Sequence, residues 1–80
     1  MSTLTDKIAE AFITTIWFDE LMLHARLLDG REISVPLDWF PKLRDVNNEQ
    51  RNKWRFIGKG IGIHWEEIDE DISVESLLSY

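Results

Sequence analysis

The chain has no cysteine, so disulfides, thiolate metal centres and a cysteine nucleophile are excluded. It has two histidines, His24 and His64, too few for a structural zinc site. Basic residues are scarce as well: nine Lys and Arg stand against fifteen Asp and Glu, a formal net charge of −6. Without a basic face, the chain by itself is not expected to bind a nucleic-acid backbone. A protein partner with a basic surface fits that charge better. Long hydrophobic runs are missing too, and nothing approaches the roughly 20 apolar residues that span a bilayer. The start, "MSTLTDKIAEAF", lacks a basic stretch leading into an apolar core, so no signal peptide is expected. A cytoplasmic location is the resulting expectation, with no membrane contact.

What is present is apolar and aromatic. Hydrophobic residues fill 44% of eighty positions, four tryptophans among them, enough for one small domain with one core. Residues 1–10 are polar and small and are expected to form a flexible or short helical arm, leaving 11–80 as a single domain. "AFITTIWF" (11–18) is rich in β-branched and aromatic residues, the composition of a strand. After the polar break Asp19–Glu20, "LMLHARLL" (21–28) alternates, with Leu21, Leu23, Ala25 and Leu27 on one face. His24 stands mid-strand and is expected on the other face, as a sheet residue rather than a ligand. Asp29–Gly30 is a strong hairpin signal for a two-residue type I′ turn. "REISVPL" (31–37) follows as a third strand, with Ile33, Val35 and Leu37 on one face, ended by Pro36. The result is a three-stranded antiparallel meander.

Helical signals come next. Asp38 is placed to cap a short turn "WFPKLRD", in which Pro41 is tolerated near the start. Asn47 is placed to cap a longer helix "NEQRNKWRF", with Gln50 completing a capping box. Val46, Gln50, Trp54 and Ile57 recur at helical spacing, which turns Trp54 toward the sheet. "GKGIG" then reads as a loop, "IGIHW" as a short fourth strand, and Ser73 as the cap of a last turn that docks Leu77 and Leu78. The expected architecture is α+β: a small antiparallel sheet, the meander plus a short fourth strand, against one main helix and short helical turns.

Three chemistries fail on spacing. Gly58, Gly60 and Gly62 give G-x-G-x-G, but the order is helix, loop, strand, whereas a dinucleotide loop needs strand, loop, helix. Lys59 is not followed by Ser or Thr, so the P-loop pattern fails as well. The carboxylates Glu66, Glu67, Asp69, Glu70 and Asp71 do not match a calcium loop, so no metal or cofactor is expected. Instead, five of the fifteen acids fall between 66 and 71, an acidic segment suited to Arg or Lys on a partner. His64 has no nucleophile at a recognisable spacing among Ser34, Ser73, Thr14 and Thr15, so a hydrogen-bonded structural histidine is expected. Of the tryptophans, two or more belong in the core, and Trp39, beside Phe40 and Pro41, is the one expected to be half exposed.

Taken together, "LLDGREISVPLDWFPKL" and "NNEQRNKWRFIGKGIGIHWEEIDEDISVESLL" resemble a small bacterial family of unknown function, numbered 2442. The motifs are a D-G-R hairpin, "PL-x-W-F-P-x-L", an "E-Q-R" helix, "G-x-G-x-H-W" and "D-E-D-I-S-V-x-x-L-L", spanning about residues 12–79. Glu66 departs from the pattern, standing where proline is frequent in the family. The resemblance implies a compact α+β fold and no established catalytic activity. It also implies genetic company as the antitoxin-side partner of a small toxin. Some relatives add a helix-turn-helix domain, for which these eighty residues leave no room. Carried over as interaction residues are Trp39, Phe40, Arg51, His64, Trp65, Asp69, Glu70 and Asp71; Glu66 and Glu67 join them from the acidic run. Arg51, if buried, is expected to pair with a carboxylate of that run.

Two function classes follow. The first is a non-enzymatic interaction domain that meets a basic partner through its acidic segment and adjacent aromatics. The alternative is a small-molecule-sensing or regulatory module with its ligand between the sheet and the "GKGIG" loop. A homo-oligomer formed through an unpaired edge strand is a further expectation.

Overall fold

A computed structural model describes residues 11–79. The expected arm at 1–10 lies outside the described residues. Six strands run β1 (Ile13–Phe18), β2 (Met22–Leu27), β3 (Glu32–Pro36), β4 (Arg55–Ile57), β5 (Gly62–Trp65) and β6 (Glu70–Ser73). A 3-10 turn (Leu37–Trp39) and the helices α1 (Pro41–Arg44) and α2 (Asn48–Arg51) join β3 to β4, and α3 (Val74–Ser79) follows β6. The strands form two antiparallel three-stranded sheets, β1-β2-β3 and β4-β5-β6. No described helix is long and apolar enough to cross a membrane.

The meander at 13–36 forms as the alternation requires, with Leu23, Ala25, Leu27 and Val35 buried. Its second turn differs from expectation. Gly30 N–H donates to Leu27 O and Leu27 N–H to Arg31 O, which makes a three-residue loop, with Gly30 at φ +96°. This is a type I turn closed by a glycine bulge, in place of type I′. Hydrophobic pattern decided it: only this register sets Leu23 opposite Val35 and Ala25 opposite Ile33, so that both strands turn their apolar residues to the core. In β1 a bulge between Ile13 and Thr15 lets Ile13 and Ile16, three residues apart, both face inward.

The second half departs further. "IGIHW" does form a strand, but as the centre of a second sheet rather than the edge of the first. Among the described residues there is no main helix. Asn47 caps α2 as expected, its Oδ1 accepting from Gln50 N at 2.8 Å, yet α2 ends after one turn at Arg51. Residues 55–57 pair with 62–64 instead, because strand pairing at "RFI" places Phe56 against the core. Trp54 therefore sits in the connection, half buried and edge-on to Phe56 at 5.1 Å. The glycines serve the β4–β5 hairpin, with Gly58 at φ +59° and Gly60 at φ +108°. Asp38 makes no cap: the 3-10 turn and α1 have no side-chain cap at their N-termini. Ser73 caps α3 as expected, its Oγ accepting from Ser76 N at 3.0 Å, and Leu77 is buried with Leu78 packed beside it.

Both sheets enclose one core. Ile13, Ile16, Leu23, Ala25, Leu27 and Val35 from the first meet Ile63, Trp65 and Ile72 from the second, and Leu37, Phe40, Leu43, Val74 and Leu77 close it. Backbone contacts join the halves, with Ile13 N–H donating to Gly60 O at 2.7 Å and Val74 N–H to Ile61 O at 2.9 Å. The "GKGIG" loop thus meets β1 through Gly60.

Candidate functional site

The outer face of the second sheet gathers the chemistry of the acidic segment. Antiparallel register sets Arg55, His64 and Asp71 in one cross-strand row. His64 Nδ1 and Asp71 Oδ1 are hydrogen-bonded across the β5–β6 pair, which gives His64 the structural partner the sequence lacked a way to name. Beside this row a cleft of about 370 Å³ is lined by Lys53, Trp54, Arg55, His64, Glu66 and Glu67. Strand β4 supplies Arg55, the α2–β4 connection Lys53 and Trp54, and the β5–β6 turn Glu66 and Glu67.

The acids are not a bare patch. Glu66 pairs with Arg55 at 3.0 Å and Glu67 with Lys53 at 3.5 Å. Glu70 Oε1 accepts from Asp71 N, and Asp69, at φ +52°, lends its carbonyl to Lys42 Nζ at 3.0 Å. The positive φ at Asp69 lets four residues turn β5 into β6, a conformation Asp tolerates better than most. The acidic segment is therefore a hairpin loop followed by strand β6. His64, Glu66, Glu67 and Asp71 come together here, whereas Glu70, paired with the buried Trp65, starts from the other face of β6; Lys42 ties Asp69 to the end of the Trp39–Phe40 segment.

Three of the expected interaction residues are core residues. Trp65 is fully buried and its indole N–H donates to Arg51 O at 2.8 Å. Phe40 is buried, whereas its neighbour Trp39 is exposed, as expected. Arg51 is buried, but its partners are different from the expected carboxylate. Nε donates to Leu43 O, Nη2 to Arg44 O and Val46 O, and Nη1 to Asn48 Oδ1, all within 3.0 Å. The Leu43 and Arg44 carbonyls are ones that the end of α1 leaves without helical partners, and Val46 lies in the link to α2; the guanidinium also lies 5.8 Å from the Phe18 ring. A planar five-donor fork satisfies several diverging carbonyls where one carboxylate would satisfy only an edge of it.

A second polar cluster, absent from the sequence reading, crosses the outer face of the first sheet. Trp17, His24 and Ser34 occupy one cross-strand row. His24 Nδ1 lies 2.7 Å from Ser34 Oγ and Nε2 lies 2.8 Å from Asp19 Oδ2. Trp17 stacks on the imidazole at 5.4 Å, with Arg26 over the indole. The Asp19 carboxyl is held below the ordinary carboxylate range by the His24 hydrogen bond first, then by the amides of Leu21 and Met22. The available signal was the alternation itself, which fixes the register once the three-residue turn is allowed.

A depressed carboxyl contributes stability above its unfolded value, near pH 4, and loses it as pH falls through the folded value. Asp19→Ala is accordingly expected to lower the urea midpoint at pH 6, with the difference from the parent protein shrinking to nothing in strong acid. Urea titrations at a series of pH values check this.

Known proteins share this fold. The chain is similar to a protein of unknown function from Rhodospirillum rubrum, whose crystal structure aligns with a TM-score of 0.74 at 24% identity, over 88% of this chain and 87% of that one. It is also similar to an uncharacterised protein from Chromobacterium violaceum known from a solution NMR structure. There the TM-score is 0.73 at 18% identity, over 96% of this chain and 77% of that one. At such identities the likeness speaks of the fold alone. No curated protein matches. The sequence profile of the family described as protein of unknown function (DUF2442) matches residues 13–80, and the chain belongs to that family.

Proposed function

We propose that this domain acts by binding, as a protein-interaction module of the antitoxin-like kind, and that its partner presents a basic surface to the outer face of the second sheet. The observation that carries this is the open cleft with Trp54 and His64 in it and Glu66 and Glu67 on its rim. Both glutamates are held by cations of their own chain that are themselves more than half exposed, Arg55 at 62% and Lys53 at 54%. Exposed ion pairs of that kind contribute only about 0–1 kcal/mol, so an incoming guanidinium competes with them at little cost. A half-buried indole beside the carboxylates offers that guanidinium a face to stack on. The net charge of −6 steers a basic partner toward the domain and makes the encounter salt-dependent.

The test is co-expression with the product of the adjacent gene and size-exclusion chromatography of the mixture. A complex is expected at low salt that weakens about tenfold or more between low and high ionic strength. The triple variant Glu66→Lys, Glu67→Lys, Glu70→Lys is expected to abolish it while keeping the native thermal melt. No complex at low salt, or one indifferent to the charge reversal, would sink the reading.

A further inference from the structure

The Asp19–His24–Ser34 cluster belongs to the opposite half of the fold from the proposed binding cleft. It also contains more than a sheet face needs. A serine packed across from a histidine would be satisfied by one hydrogen bond. Here the imidazole is bonded at both nitrogens, and the carboxylate on its far side is itself fixed by two amides, Leu21 N at 2.9 Å and Met22 N at 2.8 Å.

The chemistry assigns the direction of these bonds. An ionised carboxylate only accepts, so Nε2 carries the proton and donates it to Asp19. In the neutral imidazole Nδ1 is then a lone pair facing Ser34 Oγ at 2.7 Å, the arrangement in which imidazole takes a hydroxyl proton. Trp17, stacked within 16° of parallel, holds the ring in that plane. The backbone adds a fourth element. Ladder hydrogen bonds fall at Leu27–Arg31 and Leu37–Leu21, so the His24–Ser34 pair lies at a non-hydrogen-bonded position. The Ser34 amide therefore points away from β2, toward the outer side of an edge strand. In that position it can donate to an oxyanion formed on a group attached to Ser34 Oγ.

We propose that Ser34 is an activated nucleophile, a site of covalent acylation by activated esters or thioesters. Ser34 Oγ adds to the acyl carbonyl carbon as its proton passes to His24 Nδ1, and the imidazolium is stabilised by Asp19. The tetrahedral adduct collapses by breaking the bond to the leaving oxygen or sulfur, which takes the proton back from Nδ1. The products are O-acyl Ser34 and the free alcohol or thiol. Ser34 and His24 touch the reacting atoms, and Asp19 is a positioning residue that selects the tautomer.

The probe is p-nitrophenyl acetate on the whole chain, followed by intact mass and peptide mapping. One acetyl group is expected on Ser34, formed at least about tenfold faster than on Ser73, Thr14 or Thr15, with a rate that falls in acid, where a protonated imidazole accepts no proton. His24→Gln is expected to slow it by about 100-fold, the scale of a lost general base, and Asp19→Asn by about tenfold while leaving the fold intact by circular dichroism. If His24→Gln does not fold, Asp19→Asn and the pH profile of the parent protein carry the decision. Acetyl groups confined to lysine amines, or a Ser34 rate that is unaffected by Asp19→Asn and independent of pH, overturn the proposal.

Discussion

Gly60→Ala is expected to destabilise the domain by on the order of 3 kcal/mol, more than half of the stability a domain this small has. A Cβ at position 60 would lie 2.4 Å from the Ile13 carbonyl oxygen and 3.1 Å from the Ile13 nitrogen, backbone atoms that have no rotamer to retreat into. The φ of +108° adds strain for any residue with a side chain. Relief requires moving the β4–β5 loop off β1, which breaks the Ile13 N–H to Gly60 O bond joining the two sheets. Overpacking and backbone strain each cost about 1–3 kcal/mol, against roughly 5 kcal/mol of total stability in a small core. Gly30→Ala is the control. Gly30 also has positive φ, +96°, but nothing stands within 4 Å of its would-be Cβ, so about 1–2 kcal/mol of strain alone is expected. Chemical denaturation of both variants separates the close approach from the strain. Equal losses would mean that the contact with Ile13 yields freely.

Arg51→Lys is expected to cost about 3 kcal/mol although it keeps the charge. The guanidinium reaches three backbone carbonyls and Asn48 from a side chain in a residue only 8% exposed. An ammonium has three donors on a single atom and cannot meet groups spread around a plane. Carbonyls left unpaired at a buried helix end cost about 1–3 kcal/mol each, and the buried charge loses partners at the same time. The loss spreads, because the Arg51 carbonyl accepts the Trp65 indole N–H and the guanidinium covers Phe18. Arg55→Lys, whose side chain is largely exposed in its pair with Glu66, is expected to change stability by less than about 0.5 kcal/mol. A thermal melt of each variant decides it, and similar melting temperatures for the two would remove Arg51 from its place as the tie between α1, α2 and the second sheet.

The registers show how far local reading reached. Alternation in 21–28 and 31–37 was clear, and strands Met22–Leu27 and Glu32–Pro36 lie within those stretches, with Leu21 left exposed before β2 and Leu37 buried in the 3-10 turn. The Asp29–Gly30 dipeptide pointed to a two-residue turn, which would close Leu28 on Arg31 and set His24 opposite Val35. That pairing puts an apolar face against a polar one, so the chain uses one more loop residue. This one-residue difference brings His24 opposite Ser34. In the second half the local signals conflicted with pairing. "NEQRNKWRF" has caps and spacing for a helix of about two turns, yet "RFI" gains more by joining "GIHW" in a sheet whose inner residues Ile63 and Trp65 are fully buried. Helix propensity amounts to tenths of a kcal/mol per residue, and burial of one large side chain to about 1.5–3.

The sequence alone determined what is written in short periods and in residue chemistry: an α+β fold, a meander at 13–36, caps at Asn47 and Ser73, no cysteine for a thiolate site, and the family motifs. Tertiary structure alone decided which partners the polar groups took. Arg51 went to carbonyls at the end of α1, the glutamates to cations of their own chain, and His24 to a serine ten residues away. Hydrophobic alternation is local and repeats every two residues, so it survives in a linear string. A hydrogen bond across strands depends on register to within one residue, and only the packed core fixes that.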